Sequence, residues 1–263
     1  MNSSATSPRR ILIMPAHNEA GNIERVIQEI REVAPPLDIV VINDCSSDDT
    51  AQRAAHLGAT VISLPCNLGY GGALQTGFRY ATEHGYPVGV MMDADGQHDP
   101  RGISDLLAVV ESGEADLAIG SRFLGRLEYK TGLIRRLGMG FFRTIVSLVT
   151  HQRITDPTSG FQAMSYRLMR FFAKDNYPSD FPDADTLIVI AYAGFPLKEV
   201  PVTMRERMSG ISKMHANLKP IYYVIKMLLS IFIVLLRQRT HAGARYRAMP
   251  STPDGPANGE ERC

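Results

Sequence analysis

Short, mostly apolar runs alternate with helix-like patterns in the first half of the chain. The apolar runs, each followed by polar or glycine-rich residues, are 11–14, 39–42, 61–64, 88–92 and 116–119. Apolar residues recur three and four positions apart in segments such as 23–30 and 73–83, which predicts amphipathic helices. Buried strands that alternate with such helices form parallel sheets. The pattern therefore predicts an α/β fold with a mostly parallel, doubly wound, Rossmann-like sheet and helices on both faces.

Polar segments at both ends of the chain delimit one predicted folded domain. Residues 1–9 and 240–263 contain much Ser, Thr and Pro and are expected to be disordered. Residues 10–215 are expected to form the domain, and residues 216–239 a C-terminal amphipathic or apolar helix. A chain of 263 residues with 44% hydrophobic residues can bury one large core without disulfides or structural metals.

One apolar stretch has nearly the length of a membrane span. Residues 221–236 contain only Lys226 as a charge, and Arg237 and Arg239 follow them. Sixteen helical residues span about 24 Å, which is short of the roughly 30 Å hydrocarbon core of a bilayer. We expect this helix to lie in a membrane interface. A short tilted span, assisted by a partner protein, is the alternative.

A second candidate for the membrane interface is basic as well as amphipathic. Between residues 122 and 143 a single acid, Glu128, stands against six basic residues. These are Arg122, Arg126, Lys130, Arg135, Arg136 and Arg143. Interleaved Leu, Ile, Phe and Val residues would give a helix suited to anionic lipid headgroups. The alternative is a core helix whose arginines simply face solvent.

Charge and cysteine content exclude some classes of protein. The formal net charge of +1 gives no reason to expect nucleic-acid binding. Cys45, Cys66 and Cys263 have neither metal-ligand spacing nor the even number of a disulfide framework, which favours a reducing compartment. The polar residues 1–10 contain no apolar signal region. A cytoplasmic location is therefore expected.

Two carboxylates follow the fourth apolar run directly. Asp93 and Asp95 come one residue apart after residues 88–92. Ligands of open α/β sheets sit beyond the carboxyl ends of the strands, so both side chains should face a crevice. Paired carboxylates suit Mg²⁺ or Mn²⁺, which commonly bridge protein oxygens to substrate phosphates. The simpler interpretation is a polar turn, with Asp99 before Pro100 starting the next helix.

Acidic residues also end the first two strands. Glu19 and Asp44 are placed where carboxylates accept hydrogen bonds from a base or from ribose hydroxyls. Helix capping is the alternative, and for Ser47 or Asp48, just before a predicted helix, it is the preferred one. Residues 67–72 are glycine-rich and would let a ligand approach the backbone, but they match neither a P-loop nor a dinucleotide-binding fingerprint.

Five short motifs together resemble family 2 glycosyltransferases of the GT-A fold. In chain order they are Pro-Ala-His-Asn-Glu-Ala at 15–20, Asn-Asp-Cys-Ser-Ser-Asp-Asp-Thr at 43–50, Asp-Ala-Asp at 93–95, Gly-Ser-Arg at 120–122 and Asp-Pro-Thr-Ser-Gly-Phe at 156–161. The resemblance covers about residues 10–215 and is closest to the branch that transfers sugars to dolichyl or polyprenyl phosphate. The combination is far more specific than any single motif.

The resemblance implies a set of site residues. The nucleotide site would be lined by Pro15, Ala16, Glu19 and Asp44, and the metal and diphosphate held by Asp93, Asp95 and Gln97. The acceptor phosphate would face Arg122, Arg135, Arg136, Arg207, Ser212 and Lys213. Asp185 falls where the family has an acidic residue before its Glu-Val-Pro strand, here residues 199–201. Many relatives have two aspartates where this chain has Asn43 and Asp44, which leaves the identity of the nucleotide open.

The implied reaction is a metal-dependent, inverting transfer from a nucleotide sugar, of the GDP-mannose or UDP-glucose type, to a polyprenyl or dolichyl phosphate. The cofactor would be Mg²⁺ or Mn²⁺. With a second pKa of about 6, a phosphate acceptor is already ionised near neutral pH and needs no strong base. Carboxylates and metal would neutralise the leaving group, while arginines offset the charge of the acceptor. Asp95, Arg122 and Asp185 are therefore the candidate catalytic residues.

Two other interpretations stay open. In the first, the acceptor is a soluble or saccharide hydroxyl, Asp185 acts as the base and the apolar C-terminal helix packs on the domain. Asp185 is otherwise an ordinary acid at a helix start. In the second, the chain is a non-catalytic, membrane-associated scaffold. For the leading interpretation the expected partners are the nucleotide sugar, the lipid phosphate, the cytoplasmic face of a membrane and a separate integral membrane protein.

Overall fold

The computed structural model describes residues 9–127, 133–150, 152–174, 184–205 and 229–231. The strands are β1 (Arg10–Ala16), β2 (Asp38–Asn43), β3 (Thr60–Ser63), β4 (Val88–Met91), β5 (Leu117–Leu127), β6 (Gln162–Ser165) and β7 (Leu197–Met204). The α-helices are α1 (Ile23–Val33), α2 (Thr50–His56), α3 (Gly69–Glu83), α4 (Ile103–Glu111), α5 (Leu133–Thr150), α6 (Tyr166–Ala173) and α7 (Ala184–Ala193). The element order confirms the predicted alternation of strands and helices over the first five strands.

The strands form one sheet in the order β3-β2-β1-β4-β6-β5-β7. β1 pairs in parallel with both β2 and β4, so the chain winds outward in opposite directions from this point. β6 runs antiparallel between β4 and β5, which the apolar pattern did not predict. In open α/β sheets a reversal of strand order leaves a crevice at the carboxyl ends of the strands. The crevice lies at the ends of β1, β2 and β4.

The sheet is covered by helices on both faces, as predicted. Ile11 and Ile13 of β1 face a core formed with α3, α5, α6 and α7. Leu12 and Met14 face a second core formed with α1, α2 and α4. All four side chains are fully buried. Double burial explains why β1 is a continuous apolar run rather than an alternating one.

Two elements have different bounds from those expected. The glycine-rich residues 67–72 are not a turn that precedes α3, because α3 already begins at Gly69. β5 does not stop before residues 120–122 but continues to Leu127, pairing with β7 across an irregularity between Ser121 and Arg126. In both cases a tertiary partner extends the element, namely the Asp44 side chain for α3 and strand β7 for β5.

A buried hydrogen-bond network holds the loop that precedes β6. Arg122, on β5, donates from Nε and Nη2 to the two carboxylate oxygens of Asp156 at 2.6 and 2.7 Å. Glu199 on β7 accepts the backbone N–H groups of Thr155 and Asp156 at 2.8 and 2.7 Å. Asp156 is 0% exposed, so its charge is compensated entirely inside the protein. The network fixes the path of this loop between β5 and β7.

The C-terminal apolar stretch is described at residues 229–231 alone. Ile231 is buried in the same core as Ile188 of α7, and the Ser230 hydroxyl donates to the Asp185 carboxylate. Within the part of the chain that the structure describes, no helix is long and apolar enough to cross a bilayer. The boundaries predicted between residues 215 and 216 and between residues 239 and 240 lie outside the described residues.

Close packing of α3 on β1 depends on Gly77. A Cβ atom added there would lie 2.3 Å from Cγ2 of the buried, β-branched Ile13. We expect Gly77→Ala to destabilise the protein by about 1–2 kcal/mol, because the overpacking exceeds the gain of up to about 1 kcal/mol in helix propensity. Gly140→Ala in α5, where nothing lies within 4 Å, should be neutral or stabilising in the same denaturant titration. Equal effects of both substitutions would contradict this account.

The Arg122–Asp156 pair gives a second stability prediction. Asp156→Asn leaves the guanidinium of Arg122 buried without a full counter-charge, which should cost about 3 kcal/mol. Glu114→Gln, which removes an exposed ion pair with Lys198, should cost less than about 1 kcal/mol. Thermal or denaturant unfolding of both variants provides the comparison. A small effect at Asp156 would show that the network does not hold the loop.

Candidate active site

The strand-end crevice brings together residues far apart in sequence. The Asp44 N–H donates to the Ala16 carbonyl at 2.9 Å, so the ends of β1 and β2 are tied side by side. Asn18 and Cys45, which follow these ends, have positive φ angles of 58° and 56°. Non-glycine residues in this left-handed region are uncommon and concentrate at functional sites. Pro15, predicted to line the nucleotide site, is buried beside Ala16 at this edge.

Hydrogen bonds connect the two loops that leave β1 and β2. The Asn18 side-chain oxygen accepts the Ser47 N–H at 2.8 Å. The Asp48 carboxylate accepts the N–H groups of Ala20 and Thr50, each at 3.1 Å. Although burial opposes ionisation, these bonds and that from the Thr50 hydroxyl lower the pKa of Asp48. Asp48 therefore accepts the first helical N–H group of α2 and also joins the two loops. The N-cap position itself is occupied by Asp49.

Glu19 lies in the first of these loops and is half-buried. Its Oε2 accepts the Asn22 side-chain amide at 2.7 Å, and its N–H donates to the Thr50 hydroxyl at 2.9 Å. Its carbonyl oxygen also accepts the N–H groups of Asn22 and Ile23 at the start of α1. The structure places Glu19 at the expected edge of the sheet. Its contact with a nucleotide stays a prediction.

Asp44 caps α3 across the crevice. Its Oδ1 accepts the Leu68 N–H at 2.7 Å and its Oδ2 accepts the Gly69 N–H at 3.0 Å. Asp44 therefore caps a helix, as the alternative interpretation predicted, but the helix is α3 and not α2, which follows β2. A carboxylate has about four acceptor positions, so two backbone bonds do not exhaust its capacity. Its predicted role in reading a base stays a prediction.

Asp93 and Asp95 follow β4 and are both partly exposed. The Tyr70 hydroxyl donates to Oδ1 of Asp93 at 2.8 Å, and Nε2 of His98 lies 3.4 Å from its Oδ2. Oδ1 of Asp95 accepts the Gln97 N–H at 3.0 Å, which folds residues 95–97 into a tight turn. Asp99 accepts the Arg101 N–H and starts the next helical turn, as the simpler interpretation of the motif predicted. The turn nonetheless presents both carboxylates at the crevice.

The donor atoms at this turn fit Mg²⁺ or Mn²⁺. No cluster of three or more His, Cys, Asp or Glu side chains suited to a metal occurs among the described residues, so an all-protein cage is absent there. Two partly exposed carboxylates, with Gln97 on the same turn, would leave coordination positions for water and a substrate diphosphate. That combination is the usual environment of Mg²⁺ with phosphates. Asp93, Asp95 and Gln97 would hold the ion.

Tyr70 and His98 were not among the predicted site residues. His98 is 3% exposed and its ring lies 5.1 Å from that of Phe161. Tyr70 reaches Asp93 from the first turn of α3. The sequence gives one indication that each residue lies near the site: Tyr70 is within the glycine-rich stretch, and His98 closely follows the paired aspartates. Neither signal indicates a contact with Asp93.

Arg122 lies in the middle of β5 and is 6% exposed. Besides the two bonds of its guanidinium to Asp156, its Nη2 donates to the Thr158 hydroxyl at 2.8 Å, and Nη1 lies 3.8 Å from Sδ of Met204. The guanidinium therefore makes extensive contacts within the protein. Its predicted contact with an acceptor phosphate stays a prediction, and its observed contacts are those of a residue that positions the loop before β6.

The remaining acceptor-side residues are only partly described. Arg135 and Arg136 lie near the start of α5, with their side chains outside the described part. Arg207, Ser212 and Lys213 also lie outside the described residues.

Asp185 is 5% exposed at the second position of α7. Its Oδ1 accepts the Thr186 N–H at 2.9 Å, and its Oδ2 accepts the Ser230 hydroxyl. This geometry favours the interpretation of Asp185 as an ordinary acid at a helix start, because the dipole at the helix N-terminus stabilises the carboxylate. The hydrogen bonds of Asp185 to described residues join two C-terminal segments rather than the turn at 93–97. Its role as a base stays a prediction.

Two named proteins are similar to this chain in sequence. Polyprenol monophosphomannose synthase from Mycolicibacterium smegmatis is 32% identical over 223 residues, which cover 80% of this chain and 82% of that protein. Undecaprenyl-phosphate mannosyltransferase from Micrococcus luteus is 32% identical over 222 residues, which cover 80% of this chain and 89% of that protein.

The fold also has solved counterparts. The structure of glucosyl-3-phosphoglycerate synthase from Mycobacterium tuberculosis in complex with Mn²⁺ and UDP-glucose has a TM-score of 0.64 to this chain. It is 19% identical, with 86% of this chain and 78% of that chain covered, so the likeness concerns the fold. The family model described as Glycosyl transferase family 2 matches residues 11–177. The chain therefore belongs to glycosyl transferase family 2 and is a glycosyltransferase with the GT-A fold.

Proposed function

We propose that this glycosyltransferase transfers a sugar from a nucleotide-sugar donor to a polyprenyl or dolichyl phosphate, with Mg²⁺ or Mn²⁺ and with inversion at the anomeric carbon. The observation that carries the proposal is the turn at residues 93–97, which presents two carboxylates at the strand-end crevice. The relatives named as polyprenyl-phosphate mannosyltransferases support this acceptor class, and their names favour mannose as the sugar.

On the donor side the roles follow the geometry of the crevice. Glu19 and Asp44 border the nucleotide, with Pro15 and Ala16 forming the floor at the end of β1. Asp93, Asp95 and Gln97 hold the ion, which supplies positive charge for the leaving diphosphate. Because an ionised diphosphate is a better leaving group when its charge is neutralised, these residues stabilise the transition state more than the ground state.

On the acceptor side the phosphate oxygen attacks the anomeric carbon in line with the departing diphosphate. The task of the protein is to hold two anions close together, which requires cations beside the acceptor. Arg135, Arg136, Arg207 and Lys213, with the Ser212 hydroxyl, are the proposed contacts. Arg122 acts mainly by fixing the loop that begins at Asp156, next to the same edge of the sheet.

A hydroxyl acceptor is the second candidate. The observation that favours it is the burial of Ile231 in the domain core, since this alternative has the C-terminal helix packing on the domain. In that reaction Asp185 would remove a proton from the acceptor hydroxyl. Against it stands the geometry of Asp185, which is buried and accepts hydrogen bonds from Thr186 and Ser230.

We also propose that the protein binds the cytoplasmic face of a membrane peripherally, with an integral membrane protein as a further partner. Leu148 of α5, Tyr192 of α7 and Leu229 are 69%, 44% and 56% exposed. α5 packs against α7, and Ser230 next to Leu229 is bonded to α7, so these apolar residues belong to one group of packed segments. Exposed apolar side chains near a basic segment suit a lipid surface.

The metal role of Asp95 is tested by Asp95→Asn. The amide oxygen can still accept the Gln97 N–H, so the turn should persist while one anionic ligand is lost. We expect sugar transfer to fall at least 100-fold, because charge stabilisation of this kind contributes several kcal/mol. The assay incubates the protein with a panel of nucleotide sugars and a short polyprenyl phosphate, and detects products by mass spectrometry.

Asp105→Asn is the matched control for this experiment. Asp105 is an exposed carboxylate on α4, and its substitution should leave transfer unchanged. Near-normal turnover by Asp95→Asn at saturating Mn²⁺ would remove the metal assignment. Transfer to a saccharide but not to polyprenyl phosphate would instead favour the hydroxyl-acceptor reaction.

Liposome flotation tests the membrane proposal. Full-length protein should float with anionic liposomes at low salt and less at high salt, because each basic residue near the surface contributes about 1 kcal/mol that salt screens. Leu148→Gln should weaken binding about tenfold, as expected for the loss of one inserted leucine. Val33→Gln, at a 41% exposed position on α1, should not change binding. Failure of the wild-type protein to bind, or salt-resistant binding that needs detergent for extraction, would contradict the peripheral interpretation.

A further inference from the structure

We infer that Tyr70 is a positioning residue that sets the orientation of Asp93 for the metal and links it, through the first turn of α3, to Asp44. The inference rests on the proposed function for the identity of the metal site. It assigns a role to a residue that is not among the predicted nucleotide-binding or metal-binding residues. The role follows from three contacts on different segments of the chain.

The first contact is the hydrogen bond from the Tyr70 hydroxyl to Oδ1 of Asp93 at 2.8 Å. A hydrogen bond to a carboxylate is charge-assisted and about twice as strong as one between neutral groups. Together with His98 on the other oxygen, it holds the carboxylate plane in one orientation. Groups that orient a metal-binding carboxylate in this way commonly contribute a factor of about 10–100 to metal affinity.

The second contact is the close approach of Gly160 to both partners. A Cβ atom added at Gly160 would lie 3.0 Å from the Tyr70 hydroxyl and 3.1 Å from Oδ2 of Asp93. Both distances are shorter than ordinary van der Waals contact. The loop before β6, anchored by Asp156, therefore packs directly on the Tyr70–Asp93 pair and restricts the positions it can take.

The third contact connects the pair to the nucleotide side of the crevice. Asp44 accepts the N–H groups of Leu68 and Gly69, and Tyr70 is the next residue along α3. Because a helical turn moves as one unit, a shift of the Asp44 carboxylate is passed to Tyr70 and from there to Asp93. Residues 44 and 93, which stand 49 positions apart in sequence, are thus joined by two hydrogen-bonded steps.

Binding of Mn²⁺ alone, followed by the loss of the free-ion electron paramagnetic resonance signal, tests the inference without substrate turnover. Tyr70→Phe keeps the ring and removes only the hydroxyl, so the fold should persist by circular dichroism. We expect its Mn²⁺ dissociation constant to rise about tenfold. Transfer activity should recover at high Mn²⁺, whereas a general structural defect would not be rescued by the ion.

Tyr80→Phe is the matched control, because it removes the same hydroxyl from the same helix at a position stacked on His84. Its Mn²⁺ affinity should equal that of the wild type. Asp95→Asn shows that the signal reports this site, since its affinity should fall more than that of Tyr70→Phe. Unchanged Mn²⁺ affinity in Tyr70→Phe, with loss in Asp95→Asn, would overturn the inference and leave the proposed function standing.

A double-mutant cycle tests the link to Asp44. Asp44→Asn should weaken Mn²⁺ binding about threefold in the wild-type background and have little further effect in the Tyr70→Phe background, because coupled residues are not additive. Equal effects in the two backgrounds would overturn the link. A wild-type protein that binds no Mn²⁺, alone or with GDP or UDP added, would overturn both this inference and the metal in the proposed function.

Discussion

Burial of the central strands on both faces is the constraint on which the site depends. β1 has no face on which to place a polar side chain, because one set of its residues packs on α3 and the other on α1. The polar groups of the neighbouring strands are therefore displaced to their carboxyl ends. The reversal of strand order at β1 separates the loops there and opens the crevice. Position in the sheet thus brings Asp44 and Asp93 to the same edge, on either side of the end of β1.

Two aspartates at this edge of the sheet form ion pairs with arginines. Asp156 is neutralised by Arg122, and Asp99 is paired with Arg101 and Arg205. Although burial opposes ionisation, the hydrogen bonds and charges of these two arginines lower the pKa of Asp99. Asp93 and Asp95 accept hydrogen bonds from the Tyr70 hydroxyl, the His98 imidazole and the Gln97 backbone N–H.

Sequence alone predicted much of the fold and the class of the protein. Five strands were located because each contains a short apolar run, and the strand-end aspartates followed from their positions. The order of motifs identified the glycosyltransferase family. β6 was missed because its four residues, 162–165, are too few to show a period, and its antiparallel direction depends on its neighbours β4 and β5.

Tertiary structure decided what each polar residue touches. Asp44 caps α3 and not the helix that follows it, Tyr70 reaches Asp93 across 23 positions, and Arg122 pairs with Asp156 across 34. These contacts have no periodicity that a sequence can display, because they arise where separate loops meet at one edge of the sheet. The sequence by itself determined which groups arrive at that edge, since strand burial leaves them no other place. Only the packing of the loops determined which of those groups bind one another.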